Sequence, residues 1–432
     1  MRPGLTRRGF LAGAAGLCAA HAAPAKISDF PLPDALAGSD GKHIRSTHEW
    51  EKRRRPELMR LFAEQVYGQT PKRRVEVEYR VTSEDRHALN NLAVRRQIVA
   101  QFGGGAGPAV HILLYLPAET QRRAPVFVGL NFGGNHTVAA DPGIELAEVW
   151  TRDPSAPRIA GGASVPYAQH TAAEGTRGAG ASQWQVEKIL AAGFGLATAY
   201  YGDIEPDFDG GMSHGVRPLL FATGQTVPDS DQWGAIGAWA WGLSRMVDYL
   251  ETDRGVDPRR IALIGHSRLG KTALWAAAQD ERFALVISNE SGKGGASLYR
   301  RLEGETIEHL NTAFPHWFCG NFHRYTGHPD QVPVDGNLLL AMTAPRPLYV
   351  ASAEEDHTSD PPGEFYSAMV AGGVWELFGR QGLGTTTMPP VNTPVGSADL
   401  YYHVRTGKHN VTAYDWEQYL KFAAARFHGA GA

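Results

Sequence analysis

The stretch Arg260-Ile-Ala-Leu-Ile-Gly265-His266-Ser267-Arg268-Leu269-Gly270-Lys271-Thr272-Ala-Leu-Trp275 decides how the chain is read. A β-branched strand pattern runs into a glycine-flanked turn, and a helical pattern starts at once. A serine at such a junction is lifted above the carboxyl edge of a sheet, with the next residue's backbone N–H beside it, which is what an acyl-transfer nucleophile requires. Gly265 is expected there because the strained turn leaves no room for a β-carbon against the neighbouring strand. The second glycine, Gly270, follows Ser267 by three residues, whereas the common Gly-x-Ser-x-Gly elbow has two. The plain alternative makes Ser267 an ordinary helix N-cap after a strand.

Outward from this turn, short apolar runs alternate with amphipathic helical patterns. The runs are Val126 to Leu130, Gly195 to Tyr201, Ile261 to Ile264, Leu285 to Ser288 and Leu348 to Ser352. Between and after them, Trp184 to Ala192, Gly234 to Leu250, Lys271 to Ala278 and Ala413 to Phe427 keep a 3.6-residue period. Such alternation predicts βα units around a parallel sheet whose strands are buried on both faces. Upstream, His48 to Val66 predicts a helix. Alternating residues from Val75 to Val81, from Ala93 to Phe102 and from His111 to Leu116, with Gly103 to Gly107 as a turn, predict an antiparallel meander. A mostly parallel sheet flanked by helices, with an antiparallel N-terminal lead-in, is the outline of the α/β-hydrolase fold. One catalytic domain over residues 23–432 is expected, with Gly379 to Gly396 as a surface loop before the last strand.

Composition narrows the class. The 432 residues are 43% hydrophobic and 20% charged, with net charge −3, so a folded core is expected and the basic footprint of a nucleic-acid binder is missing. The 50 glycines exceed the usual share of about 7% and imply many tight turns. At the amino terminus, Arg7-Arg8-Gly9-Phe10-Leu11 precedes a weakly apolar Ala/Gly run ending near Ala22, the pattern of a twin-arginine-type signal peptide over residues 1–22. Export to the periplasm or beyond is therefore expected. Loss of Cys18 with that segment leaves Cys319 alone, with no disulfide within the mature chain. The run from Gly9 to Ala20 is too short for a membrane span, and no partner membrane is expected.

Ser267 needs a base, and the base an orienting acid. In this fold the chain order is serine, acid, histidine. His409 closes the strand-like stretch from Leu400 and precedes a helix opened by Thr412-Ala-Tyr-Asp415, which resembles a capping box. His403, inside the strand pattern, is read as a packed or surface imidazole. Two acids compete: Glu290, after the run Leu285 to Ser288, and Asp356, after Leu348 to Ser352. Fold order favours Asp356, whereas Glu290 enters the glycine-rich loop Ser291-Gly292-Lys293-Gly294-Gly295. The plain reading of either is a capping or surface carboxylate. No Cys-x-x-Cys or His-Glu-x-x-His spacing suggests a metal, and Gly193-Phe-Gly195 precedes a strand, so it does not read as a dinucleotide loop.

The run Gly265-His266-Ser267-Arg268-Leu269-Gly270-Lys271 resembles the Gly-x-Ser-Arg-x-Gly-Lys signature of the glucuronoyl esterases, carbohydrate esterase family fifteen, of bacterial type. Asn131-Phe-Gly-Gly-Asn-His136, Trp184-Gln-Val-Glu187, Ala199-Tyr-Tyr-Gly-Asp203, Glu290-Ser-Gly, Phe314-Pro-His-Trp-Phe-Cys-Gly-Asn321 and Tyr414-Asp-Trp416 extend the resemblance over most of the chain. It implies a serine esterase acting on the ester between (4-O-methyl-)glucuronic acid side chains of xylan and lignin alcohols, and no cofactor; a monomer is expected. It implies Ser267 as nucleophile, His409 as base and Glu290 as acid, some bacterial members placing the acid at the Asp356 position. Arg268 would support the oxyanion through its backbone N–H and guanidinium, and Lys271 and Glu305 would bind uronate hydroxyls. The plain reading of Lys271 is a helix-surface lysine. Members commonly carry a tryptophan two residues after the second acid, where this chain has Thr358.

The implied chemistry is a two-step acyl transfer whose oxyanion rests on Arg268 and the loop Gly133 to Asn135. An acetylxylan esterase or general carboxylesterase would share the serine turn but not the uronate recognition. An inactive carbohydrate-binding protein would share the fold alone.

Overall fold

The computed structural model describes residues 31–119, 122–152 and 167–427. The expected signal segment and Cys18 lie outside the described residues. Among the described residues ten strands form one sheet: β1 (Val77–His87), β2 (Ala93–Phe102), β3 (Ala109–Pro117), β4 (Ala124–Asn131), β7 (Gly195–Tyr200), β8 (Val256–His266), β9 (Leu285–Asn289), β10 (Leu348–Ala353), β11 (Val395–Gly396) and β12 (Leu400–Arg405). The other two, β5 (Glu148–Arg152) and β6 (Tyr167–Thr171), pair as a separate antiparallel hairpin.

Across the sheet the order is β1-β2-β3-β7-β4-β8-β9-β10-β12-β11. The first three strands are antiparallel to their neighbours, and β7, β4, β8, β9, β10 and β12 run parallel. This is the α/β-hydrolase architecture expected from the sequence. Every residue of β4, β7, β9 and β10 is buried. That follows from helices on both faces: Ala235–Leu250, Arg268–Gln279 and Pro361–Leu377 pack Trp239, Trp275 and Trp375 on one side, while Val186–Ala191 and Ala413–Phe427 pack Ile189, Trp416 and Tyr419 on the other. A parallel sheet needs both covers, since its strands have no polar face to offer water.

Several boundaries differ from the sequence reading for identifiable reasons. The run Trp184 to Ala192 is two pieces, Ala181–Trp184 and Val186–Ala191, separated by Gln185 at φ 46°. The Gln183 carbonyl accepts the Trp416 indole N–H at 2.6 Å, which takes it out of a continuous helical ladder. The helix predicted from His48 to Val66 spans residues 47–67, but it is α-helical only over Thr47–Glu49 and Arg55–Phe62, and π-helical turns flank the longer piece. The helix after Ser267 begins at Arg268, three residues before the periodic pattern. The loop predicted from Gly379 to Gly396 is irregular until Val395, where β11 pairs with β12. Pro361–Leu377, absent from the sequence reading, opens with Pro-Pro-Gly, which suits the first helical turn but resembles a loop in sequence. Among the described residues no helix is long and apolar enough to cross a membrane.

Candidate active site

β8 ends at His266, the helix starts at Arg268, and Ser267 between them takes φ 58°, ψ −132°. A non-glycine residue so placed costs about 1–3 kcal/mol and persists only where its surroundings fix it. Here the Ser267 N–H donates to the Asn289 carbonyl at 3.0 Å, and the Ser267 carbonyl accepts from Gly270 and Lys271 at 2.8 and 3.2 Å. Ser267 occupies the N-cap position, yet its hydroxyl caps no backbone amide. The plain N-cap reading therefore fails, and the hydroxyl stays available.

The glycines have different reasons from the one expected. A β-carbon on Gly265 would lie 2.0 Å from the Leu269 carbonyl oxygen, so the constraint is the following helix and not the neighbouring strand. Gly270 faces the neighbouring strand end, where a β-carbon would lie 2.8 Å from Ser291 Cβ. The displaced second glycine thus marks where this helix approaches the loop that follows Glu290.

His409 lies in the loop between β12 and the helix Ala413–Phe427, its ring 4.4 Å from that of His266. Both candidate acids meet it. Nδ1 is 2.6 Å from Asp356 Oδ2 and 3.1 Å from Glu290 Oε2. With Nδ1 facing carboxylates, its proton points to them and Nε2 is left for the serine. Asp356 also accepts the Ser359 N–H at 3.2 Å. Glu290, at φ 47°, accepts from Arg405 at 2.6 Å and from the Asn410 N–H at 2.9 Å. Burial pushes the Glu290 carboxyl up to about 7, with Arg405 and His409 only partly offsetting it. Asp356 feels burial too, but its bonds to His409 and Ser359 win and hold it below the usual carboxylate range. Burial opposes charge on His409, while Asp356 and Glu290 more than compensate and raise it to about 9.

Arg268 is held by a buried acid that the sequence reading missed. Asp207 pairs with the Arg268 guanidinium and accepts from Tyr201 Oη at 3.0 Å, His316 Nε2 at 2.8 Å and Trp317 Nε1 at 2.7 Å. Burial alone would raise Asp207, but His316 and Arg268 bring it down to about 2. The guanidinium lies over Trp317 at 4.7 Å and Phe314 at 5.3 Å, and Arg268 Nε is buried without a partner. Its backbone N–H, first in the helix, has no intrahelical acceptor. In the loop Gly133 to Asn135, by contrast, the Gly134 N–H is spent on Asn131 Oδ1 at 2.8 Å, so it is not a free oxyanion donor.

Lys271 is 3% exposed, which overturns the surface-lysine alternative. Nζ donates to the Ser291 carbonyl at 2.7 Å and pairs with Glu305 Oε1 at 2.5 Å, leaving one of its three N–H donors. The Glu305 N–H donates in turn to the carbonyl of exposed Thr358 at 2.9 Å. His403 is fully buried, with Nε2 2.9 Å from Asp415 and Nδ1 2.9 Å from Tyr349 Oη, a packed imidazole as read from the strand pattern. Asp415 closes on the Thr412 N–H at 2.7 Å and also receives Arg405 at 2.7 Å, so the capping acid is shared with the residue that holds Glu290.

Among the described residues one group has cation-ligand spacing: donor atoms of His266, Glu290 and His409 lie within 4.8 Å of one another. Glu290 already receives Arg405 and the Asn410 amide, which suits an acid that steadies an imidazole better than a metal ligand. The largest cleft described, about 580 Å³ and lined by Lys72, Arg73, Trp241 and Arg245 among others, shares no residue with this site.

A family model described as glucuronyl esterase, fungi, matches residues 226–379. The chain is similar to the carbohydrate esterase MZ0003 of an unknown prokaryotic organism, 45% identical over 400 residues, covering 92% of this chain and 90% of that one. It is also similar to the solved glucuronoyl esterase from Solibacter usitatus, at 52% identity and TM-score 0.87, covering 92% of this chain and 98% of that one. A shorter match, 40% identical over 127 residues, covers 27% of this chain and 26% of the 4-O-methyl-glucuronoyl methylesterase of Podospora anserina. The full-length identities, the matched family model and the serine turn on this sheet agree: the chain belongs to the glucuronoyl esterases, carbohydrate esterase family fifteen, and is a carboxylic ester hydrolase.

Proposed function

We propose that this esterase cleaves the ester between a glucuronic acid carboxyl on xylan and a lignin alcohol, through an acyl-enzyme on Ser267. His409 Nε2 takes the Ser267 proton as Oγ attacks the uronate C6 carbonyl. The oxyanion that forms is met by the Arg268 backbone N–H, and the unpartnered Arg268 Nε is a second donor at hand. Collapse expels the alcohol, which takes the proton back from His409. Water then repeats the sequence, releasing the uronic acid and restoring Ser267. Asp356 and Glu290 together steady the imidazolium formed in each half, and neither needs to become protonated for that role.

The observation that carries the uronate reading is the buried Lys271–Glu305 pair one helical turn beyond Ser267. Acyl transfer does not need it. An acyl group rich in hydroxyls does, because polar groups in a pocket fix orientation and exclude look-alikes. The reading includes export of a monomer through the Arg7-Arg8 segment to where such polymers are found. A general carboxylesterase is favoured by one observation, the exposed Thr358 where relatives commonly stack an aromatic on the sugar.

Rates on benzyl glucuronate, methyl galacturonate and acetylated xylan, with Ser267→Ala as control, test the reading. It expects hydrolysis of the glucuronate ester well above the other two, and none with Ser267→Ala. Equal rates on acetylated xylan would favour the general esterase.

A further inference from the structure

Glu364 lies in the first turn of the helix Pro361–Leu377, has no exposed surface, and takes no part in the steps above. Its carboxyl touches both segments that lead to the acids on His409, the loop after Glu290 and the end of the strand before Asp356. On one side Oε1 accepts the Gly292 N–H at 3.0 Å and lies 3.4 Å from Ser291 Oγ. On the other, Oε2 lies 2.6 Å from Ser352 Oγ. Ser291 and Gly292 directly follow Glu290, and Ser352 stands near the end of β10, which leads into Asp356.

Phe365 and Ala368, buried beside Glu364 on this helix, are apolar, and the buried Ser367 carries only a hydroxyl. An apolar side chain in its place would avoid the cost of burying a carboxyl, so its hydrogen bonds to two separate segments require a reason. The reason is geometric. Glu290 at φ 47° holds a left-handed backbone that a non-glycine residue keeps only where its surroundings fix it. Two carboxylates reach one imidazole nitrogen only if their loops keep a fixed spacing, and hydrogen bonds weaken steeply with small displacements. Ser359 supplies a parallel tie, donating from Oγ to the Glu290 carbonyl at 3.1 Å and from its N–H to Asp356.

We propose that Glu364 is a positioning residue that sets the spacing between Glu290 and Asp356, so that both meet His409 Nδ1. The inference rests on the acid and base roles given under the proposed function. Burial raises the Glu364 carboxyl to about 8, so near neutral pH it is a protonated acid and adds no third negative charge behind the pair. Oε1 accepts the Gly292 N–H and Oε2 accepts the Ser352 hydroxyl. Both ties survive protonation of the carboxyl, because the Ser352 hydroxyl then accepts from it, and glutamine offers the same neutral pair, an oxygen for Gly292 and an N–H for Ser352 Oγ.

Glu364→Ala and Glu364→Gln are assayed on an activated glucuronate ester, in the wild-type chain and in the Glu290→Gln/Asp356→Asn chain. In the wild-type chain, Glu364→Ala is expected to lower kcat about 10- to 100-fold with KM within about twofold, and Glu364→Gln to restore most of it. In the acid-less chain Glu364→Ala is expected to cost less than about twofold, because the groups it positions are gone. An equal loss in both backgrounds, or no loss in either, overturns the inference. Should Glu364→Ala fail to fold, Ser352→Ala cuts the tie on the Asp356 side, leaves Tyr402 Oη its bond to the Pro361 carbonyl, and is read by the same cycle. If the acid-less chain keeps full activity, the proposed acid roles fail and this inference with them. If that chain is crippled and the cost of Glu364→Ala persists in it, only the positioning role falls.

Discussion

Asp356 holds His409 by the shorter of two contacts, its Oδ2 standing 2.6 Å from Nδ1 while Glu290 Oε2 stands at 3.1 Å. The two acids also differ in state. Asp356 is kept below the usual carboxylate range by His409 and Ser359 despite its burial, whereas burial lifts Glu290 to about 7. Near neutral pH, Asp356 supplies the firmer negative charge. Glu290, locked by Arg405 and the Asn410 amide, supplies a fixed direction.

Sharing predicts graded losses. Asp356→Asn is expected to lower kcat about 100-fold, Glu290→Gln somewhat less, and the double variant to approach the roughly 10⁴-fold loss seen when a catalytic histidine loses its acid altogether. Steady-state kinetics on benzyl glucuronate decide it. A full loss from one single variant, with none from the other, assigns the acid and refutes sharing.

The pH profile follows from His409. Asp356 and Glu290 raise its pKa to about 9 against the pull of burial, and only the neutral ring can take the serine proton. The alkaline-going limb of kcat/KM is therefore expected well above the ordinary imidazole value of about 6.5, and Asp356→Asn should move it to lower pH. Stability carries the opposite sign. Pairing of charged His409 contributes fully below about 6.5 and is lost as pH rises through about 9. A limb near 6.5 that ignores Asp356→Asn would count against both acids acting on this ring.

Arg268 depends on Asp207. Arg268→Ala is expected to cost about 10²- to 10³-fold in kcat, the usual price of one oxyanion donor. Arg268→Lys should not rescue it, because an ammonium lacks both Nε and the planar fork. Asp207→Asn is expected to lose about tenfold by freeing the guanidinium, and to add nothing in the Arg268→Ala chain. Additive losses would mean that Asp207 acts elsewhere.

For Lys271→Ala, kcat/KM on methyl glucuronate is expected to fall about 10- to 100-fold, the size of a hydrogen bond to a charged group. Hydrolysis of a simple acetyl ester should change by less than about threefold. Equal losses on both esters would make the Lys271–Glu305 pair a structural brace for the Ser291 loop.

Gly265→Ala tests the turn itself. Its β-carbon would meet the Leu269 carbonyl at 2.0 Å, and a backbone atom at a helix start has nowhere to move. A destabilisation of about 3 kcal/mol in urea unfolding is expected. A loss below about 1 kcal/mol would show that the turn tolerates a side chain.

Much of this was legible in the sequence because it is local. The strand–turn–helix at Ser267, the apolar runs of the parallel strands and the placement of His409 after the last long strand are each set by residues close together in the chain. Asp207, Arg405 and Glu364 were not legible. Each is a charged residue in an unremarkable stretch until distant segments close around it, as when Arg405 bridges Asp415 and Glu290. Nor could the helical period in Trp184 to Ala192 reveal that the Trp416 indole claims the carbonyl of Gln183 just before it.

By itself, the sequence determined the fold class and the serine turn with its displaced second glycine, and it named a short set of residues proposed to act with it. It left two acids in competition and supplied only local grounds for choosing. Tertiary structure decided that both stand within reach of one nitrogen, because parallel neighbours β9 and β10 end side by side and deliver Glu290 and Asp356 to the same edge. Their different proton affinities come from burial and from partners such as Arg405 that lie 115 positions away in the chain. Desolvation and long-range pairing are properties of packing, and no spacing in a linear sequence encodes them directly.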